Sequence, residues 1–296
     1  MNRRAIIGSL GTLLFSAGAA IGVSRLAARK SSSRRAERLV SLTPAITETL
    51  FTLEAAAPLV AVSDYCELPP GLALPRVGSS LTPNYEVIAR LLPSMILSDD
   101  SAGAKQRELA AIADCEVLPW LTLPQVVGSI RRIGQLVGHG AAADAVAERL
   151  DQRLSRKPPR DAPRALLLLG FDPDRPAELW FIKPNSLHGA ALTAAGARNA
   201  VDHEVKGLPR LSVEELLALD PDLVLIMPTP GSSLEQQRKL VEAFGALAPL
   251  RAVKRRQVAI VDGSQSVGPG ILRLVDALSS VLRKLRVSAP ALGVVE

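Results

Sequence analysis

The chain has 296 residues, 48% of them hydrophobic, enough for two ordinary α/β units whose cores need neither a metal nor a disulfide framework. The formal net charge is +6, but Arg3, Arg4, Arg25, Arg29, Lys30, Arg34 and Arg35 all fall in residues 1–36, which hold no acid, so the rest of the chain is close to neutral. With aromatics at 3% and no basic stripe interleaved with rings, nucleic-acid binding is not expected.

Asn2-Arg3-Arg4 is a short basic region ahead of an uncharged apolar run over residues 5–23. Ala17-Gly18-Ala19 supplies the small-x-small pattern that a signal peptidase reads. Residues 1–35 are therefore expected to be an export signal, of Sec type or, from the paired arginines, of twin-arginine type. Retention of residues 5–23 as a membrane anchor is the alternative. Export implies a periplasmic location.

Beyond the leader, strand-like and helix-like runs alternate. Strands are expected at Arg38–Leu42, Leu59–Ser63, Ser94–Ser98 and Glu116–Pro119, then at Arg164–Leu169, Leu179–Ile182, Asp222–Met227 and Gln257–Val261. Most are continuous apolar runs, the pattern of strands covered on both faces. Helices are expected at Ala45–Leu53, Asn84–Leu92, Ala104–Ala113, Ser186–Ala195, Val213–Leu219, Leu234–Phe244 and Gly268–Leu285. Such alternation implies βαβ units with a parallel sheet in each half, an α/β fold of two Rossmann-like lobes.

Between the halves, Val126, Ile130, Ile133 and Val137 mark one face of an amphipathic helix, which Gly138-His139-Gly140 interrupts. Ala141–Arg156 resumes with strong helix formers and stops at Lys157-Pro158-Pro159. The lobes, residues 36–140 and 158–296, are thus expected to be joined by one long rigid helix over 141–157, about 24 Å in length. A stiff joint of that kind implies small lobe motion.

Cys66 follows one strand and Cys115 precedes another, which puts them near opposite ends of a sheet, roughly 15 Å apart. A disulfide needs Cα atoms within about 7 Å, so both thiols are expected to be unpaired. An internal echo is also visible. Glu86 and Glu214 each begin a short helix, a proline (Pro93, Pro221) follows at the same interval, and an apolar strand comes next.

Several stretches in order resemble one family. Arg38-Leu-Val-Ser-Leu-Thr-Pro-Ala-Ile-Thr-Glu48, Val62-Ser-Asp-Tyr-Cys-Glu-Leu-Pro-Pro70, Val77-Gly-Ser and Asn84-Tyr-Glu86 look like the cobalamin and iron-siderophore class of periplasmic binding proteins. In the second half, Asn185-Ser-Leu, Ala195-Gly-Ala-Arg-Asn199, Leu211-Ser-Val-Glu-Glu215, Asp220-Pro-Asp-Leu-Val-Leu225 and Val261-Asp-Gly263 carry the same resemblance. The family consists of vitamin B12-binding-protein-like, helical-backbone components of ABC importers. It implies capture of a bulky metal chelate between two lobes and delivery to a permease and its ATPase, by a monomer that is not an enzyme. The resemblance also implies that Glu86 and Glu214, one per lobe, dock onto arginines of the permease. Glutamate favours the first turn of any helix, but equivalent placement in both lobes points to docking.

The ligand is expected at the carboxyl ends of the strands, where α/β sheets bind. Thr43 and Pro44, an N-cap and first helical residue, open toward it, as do Tyr65, Ser80 and Asp99. Trp180, Ser264 and Gln265 face it from the second lobe. No cofactor and no directly bound metal ion are expected, because no His/Cys cluster has ligand spacing; any metal would come inside the chelate. Corrinoid binders of the family line the cleft with several rings, whereas only Trp120 and Trp180 are available here. Cobalamin or a related corrinoid leads, with a ferric siderophore or haem as the alternative. No G-x-S-x-G, P-loop, H-E-x-x-H or C-x-x-C pattern is present. An exported enzyme, and a membrane-tethered sensor or adaptor, are the readings of other classes.

Overall fold

The computed structural model describes residues 37–170, 179–229, 231–261 and 267–287. In the first half, β1 (Leu39–Ser41), β2 (Leu59–Val62), β3 (Met95–Asp99) and β4 (Asp114–Leu118) form a parallel sheet in the order β2-β1-β3-β4. In the second half lie β5 (Arg164–Leu169), β6 (Leu179–Trp180), β7 (Arg198–Asn199), β8 (Arg210–Leu211), β9 (Leu223–Met227) and β10 (Val258–Ile260). Four of these make a second parallel sheet, ordered β10-β9-β5-β7.

The strand expected at Leu179–Ile182 departs from the sequence reading. Leu179 and Trp180 pair antiparallel with Leu211 and Arg210, outside the parallel sheet, and the segment returns to β5 only past Trp180, where Phe181 bridges to Leu168 and the Ile182 N–H donates to the Leu167 carbonyl at 2.8 Å. The fourth strand of the second sheet is instead Arg198–Asn199, too short to display any periodicity. Cys115 lies within β4 opposite Ile96, not before the strand. Both cysteines are free; Cys66 follows edge strand β2 and Cys115 is in edge strand β4, with β1 and β3 between.

Successive strand residues feed different cores, as the period of two demands. Leu39, Leu97, Ala165, Leu167, Leu223, Leu225 and Ala259 share one apolar cluster, whereas Val40, Ala61 and Ile96 face a second and Leu166, Leu168, Val224 and Ile226 a third. The shared cluster contains residues of five helices: α1 (Pro44–Thr52), α4 (Leu123–Val137), α5 (Gly140–Leu154), α6 (Leu187–Ala194) and α10 (Ile271–Val287). A helical layer therefore lies between the two sheets. The outer face of the first sheet is covered by α2 (Tyr85–Arg90) and α3 (Gln106–Ile112). That of the second is covered by α7 (Val213–Leu219), α8 (Leu234–Gly245) and α9 (Arg251–Lys254). The helix expected from Ala104 starts later, because Asp100–Lys105 winds as a 3-10 turn.

The expected joining helix occupies Gly140–Leu154, about 22 Å long. It does not act alone. Gly138, in the left-handed region at φ 77°, caps α4 and turns the chain so that α5 packs back against it. A Cβ on Gly134 would stand 2.2 Å from that of Ala143, so the two helices meet backbone to side chain, and Arg131 pairs with Asp144 at 3.2 Å. Among the described residues no helix is long and apolar enough to cross a membrane. The leader expected at residues 1–35, with its apolar run 5–23, lies outside the described residues.

Candidate functional site

Strand order reverses between β1 and β3 in the first sheet and between β5 and β9 in the second, and crevices open at the carboxyl ends of such switch points. Two contacts bring these carboxyl edges to the same side of the molecule. The Leu187 N–H at the start of α6 donates to the Leu121 carbonyl beyond β4, at 3.0 Å. Glu48 on α1 meets Arg273 on α10 at 3.3 Å, over Gly268 and Gly270.

The floor on the first-lobe side is a layer of buried hydroxyls where the apolar strands end. Ser41, Ser63 and Ser98 are fully buried. Thr47 Oγ1 donates to Ser41 Oγ at 2.8 Å and lies 3.1 Å from Cys66 Sγ, which in turn reaches Ser63 Oγ at 3.4 Å. Ser80 is buried here too: its N–H and hydroxyl meet the Leu42 carbonyl, and Ser98 Oγ donates to its oxygen at 3.0 Å. Thr43 caps α1, accepting from the Ile46 N–H, and leaves Pro44 exposed at the first helical position. Asp99 accepts from the Ser101 N–H at 3.2 Å and from its hydroxyl, so it shapes the turn after β3.

Tyr65 is 73% exposed on the turn after β2. That turn is held by Arg76, whose Nη1 donates to the carbonyls of Ser63 at 2.7 Å and Cys66 at 2.6 Å. It is also tied to the next loop, where Asp64 accepts from the Gly78 N–H at 3.0 Å. In the second half, Trp180 is partly exposed with the Arg210 guanidinium 5.5 Å from its ring centroid, a cation–π pair. Ser264 and Gln265 lie outside the described residues.

Sequence reasoning missed several side chains. Leu81 is 59% exposed beside Ser80, Leu121 is 51% exposed just past β4, and Leu169 is 46% exposed at the end of β5. All three sit at or beside carboxyl ends of strands and make that edge apolar. None carries a distinctive signal in the sequence: Leu169 ends an apolar strand run, and Leu81 and Leu121 lie in loops, where periodicity cannot separate an exposed apolar residue from a core one. Among the described residues no group of three or more His, Cys, Asp or Glu is placed to hold a metal ion. Burial and, after it, the Glu116 carboxylate push the Cys115 thiol up from its ordinary value.

Glu86 and Glu214 both occupy the second position of a short helix, after the N-caps Asn84 and Ser212. A helix that feeds a parallel strand must begin at the carboxyl edge and run back, so both glutamates lie on the edge that carries the site. Both are exposed; Glu86 pairs with Arg90 one turn on. The Glu214 carboxylate accepts from its own backbone N–H and from the Ser212 hydroxyl, which holds its pKa below the usual carboxylate value.

The family described as periplasmic binding protein matches residues 39–264. A vitamin B12-binding protein of Photorhabdus laumondii is 27% identical over 216 residues, covering 70% of this chain and 74% of that protein. A periplasmic haem-binding protein of Pseudomonas aeruginosa superposes with a TM-score of 0.67 at 27% identity, covering 86% of this chain and 94% of that one. The periplasmic haem-binding protein HutB of Vibrio cholerae gives 0.68 at 25% identity, covering 84% and 98%.

Proposed function

The chain belongs to the periplasmic binding protein family, and from that premise we propose that it is the exported substrate-binding component of an ABC importer, holding a bulky metal chelate between its lobes. The observation that carries this is the edge where both sheets end: Tyr65, Leu81, Leu121, Leu169 and Trp180 present apolar surface there, over hydroxyls whose hydrogen bonds are already made. Exposed apolar patches rimmed by polar residues mark binding surfaces. In this reading Pro44, Tyr65 and Trp180 touch the ligand, with Ser264 and Gln265 as further contacts, while Thr43, Ser80 and Asp99 hold the first-lobe turns around it. The metal arrives inside the ligand, and the chain performs no chemistry on it.

A corrinoid is the first ligand, supported by the B12-binding relative at 27% identity. Haem is the second, favoured by the exposed Tyr65 phenol, an oxygen donor at the site, and by the haem binders at 27% and 25% identity. Titration of purified protein with cobalamin, haemin and ferric hydroxamates, followed by tryptophan quenching and visible absorption, tests both. Saturable binding of one of the three at micromolar concentration or below is expected. Binding of none would overturn the proposal.

Glu86 and Glu214 dock the loaded protein on the permease in this reading. Rim charges of this kind act on encounter rate and orientation. The double variant Glu86→Ala, Glu214→Ala should lose uptake while ligand affinity stays as in the parent; unchanged uptake would remove the docking role.

A further inference from the structure

The helices that carry Glu86 and Glu214 are held at their far ends by the same constellation in both lobes. Arg38, just before β1, sends Nε to the Leu92 carbonyl at 3.1 Å and Nη2 to the Leu91 carbonyl at 2.5 Å. Arg164, which opens β5, sends Nη2 to the Leu219 carbonyl at 3.1 Å and to that of Ala200 at 3.2 Å. Leu91 and Leu219 stand at the same interval from Glu86 and Glu214. Each is followed by a residue in the left-handed region, Leu92 at φ 47° and Asp220 at φ 39°, and then by a proline.

The backbones of the two arginines are tied in the same way. The Arg38 N–H donates to Ser94 Oγ at 3.0 Å, and the Ser94 N–H returns to the Arg38 carbonyl at 2.8 Å. The Arg164 N–H donates to Asp222 Oδ2 at 2.9 Å, and the Asp222 N–H returns to the Arg164 carbonyl at 2.9 Å. Each arginine therefore couples the first strand of its sheet, central in both, to the last turn of a helix. Helices α2 and α7 have six and seven residues, too short to keep their own direction once an end is loose. Orphan carbonyls at a helix C-terminus are satisfied by such cations.

We propose that Arg38 and Arg164 are matched positioning residues that fix the separation and aim of the Glu86 and Glu214 carboxylates. The inference rests on the docking reading for its purpose, but its geometry is measurable without a permease. Spin labels at Glu86→Cys and Glu214→Cys, in a chain with Cys66→Ser and Cys115→Ser, report that separation by pulsed electron resonance. A second label pair on the exposed Arg107 of α3 and Glu242 of α8 reports the distance between lobes alone.

In Arg38→Met, Arg164→Met the first distribution should broaden or shift while the second stays as in the parent. Both distributions unchanged, or both broadened alike, would overturn the proposal, since the second pattern is general loosening. If the double methionine variant does not fold, Arg38→Lys, Arg164→Lys keeps the charge with a poorer fit to two carbonyls, and the same comparison decides. The docking reading fails separately, through unchanged uptake in Glu86→Ala, Glu214→Ala, and that result leaves the distance measurement standing.

Discussion

Glu48 of α1 and Arg273 of α10 join the two halves of the protein beside the candidate site, at 3.3 Å. Room for this contact comes from glycine. A Cβ on Gly268 would lie 2.8 Å from Glu48 Oε2 and 3.2 Å from the Ala45 carbonyl, and one on Gly270 would lie 2.0 Å from Glu48 Oε1. The chain that returns from β10 thus passes against the first turns of α1, the helix that begins at Thr43 and Pro44.

Gly268→Val should therefore push α1 away and weaken ligand binding, by roughly tenfold for a loss of about 1.4 kcal/mol. Gly245, which ends α8 with nothing near its Cβ position, provides the control. Gly245→Ala should leave the titration unchanged. Equal titration curves for both variants would show that the α1 contact does not bear on the site.

Gly78 sits at φ 80°, and a Cβ there would fall 2.1 Å from the Thr82 carbonyl, a backbone atom that cannot swing aside. Its loop carries Ser80 and leads into the Asn84 cap. Gly78→Ala is expected to cost about 1–3 kcal/mol of stability from backbone strain alone. Urea denaturation checks this, and a midpoint equal to the parent's would contradict the account of the loop.

Arg76 anchors the turn that presents Tyr65 through two carbonyl hydrogen bonds. Hydrogen bonds from a charged donor are worth about 1.5–3 kcal/mol, partly exposed ones less. Arg76→Met should loosen Tyr65 and slow or weaken ligand capture. Stopped-flow quenching of the two tryptophans on mixing with ligand is the measurement; an unaltered association rate together with an unaltered affinity would count against it.

Asp222 predicts an acid limb in the stability profile. Burial raises its pKa, but the Arg164 N–H and the Arg251 guanidinium, at 2.9 Å each, outweigh burial and hold it below the usual carboxylate value. A depressed native pKa means that the unfolded chain binds more protons. The contribution is full above the unfolded value near 4 and is lost as pH falls through the native value. Asp222→Asn should lower stability near neutrality and flatten the decline below about pH 4. Parallel profiles for variant and parent would refute this.

What the sequence made legible follows from which forces are local. Continuous runs such as Leu166-Leu167-Leu168 and Val224-Leu225-Ile226 announce strands, and Thr43-Pro44 announces a helix start, because caps and burial act within a few residues. The Glu86 and Glu214 echo was visible for the same reason. Arg198–Asn199 could not be read as a strand, since two residues have no period, and Leu179–Ile182 was assigned to the wrong sheet because antiparallel pairing with Arg210–Leu211 is decided by distant chain. The burial of Ser80 and the exposure of Leu81, Leu121 and Leu169 likewise depend on where a second sheet lies, which no local pattern encodes.

The apolar layer between the sheets has a thermodynamic consequence. Leu39 and Leu97 from one sheet and Leu167 and Leu225 from the other belong to one continuous apolar cluster, so neither half can lose its structure without baring part of the surface that supports its neighbour. Heat should thus melt residues 37–287 in one cooperative transition, and a fragment ending near residue 158 should not persist as a native miniature. A ligand held by loops of either half then stabilises the whole, and a thermal-shift screen would register its capture as a single upward displacement of the midpoint.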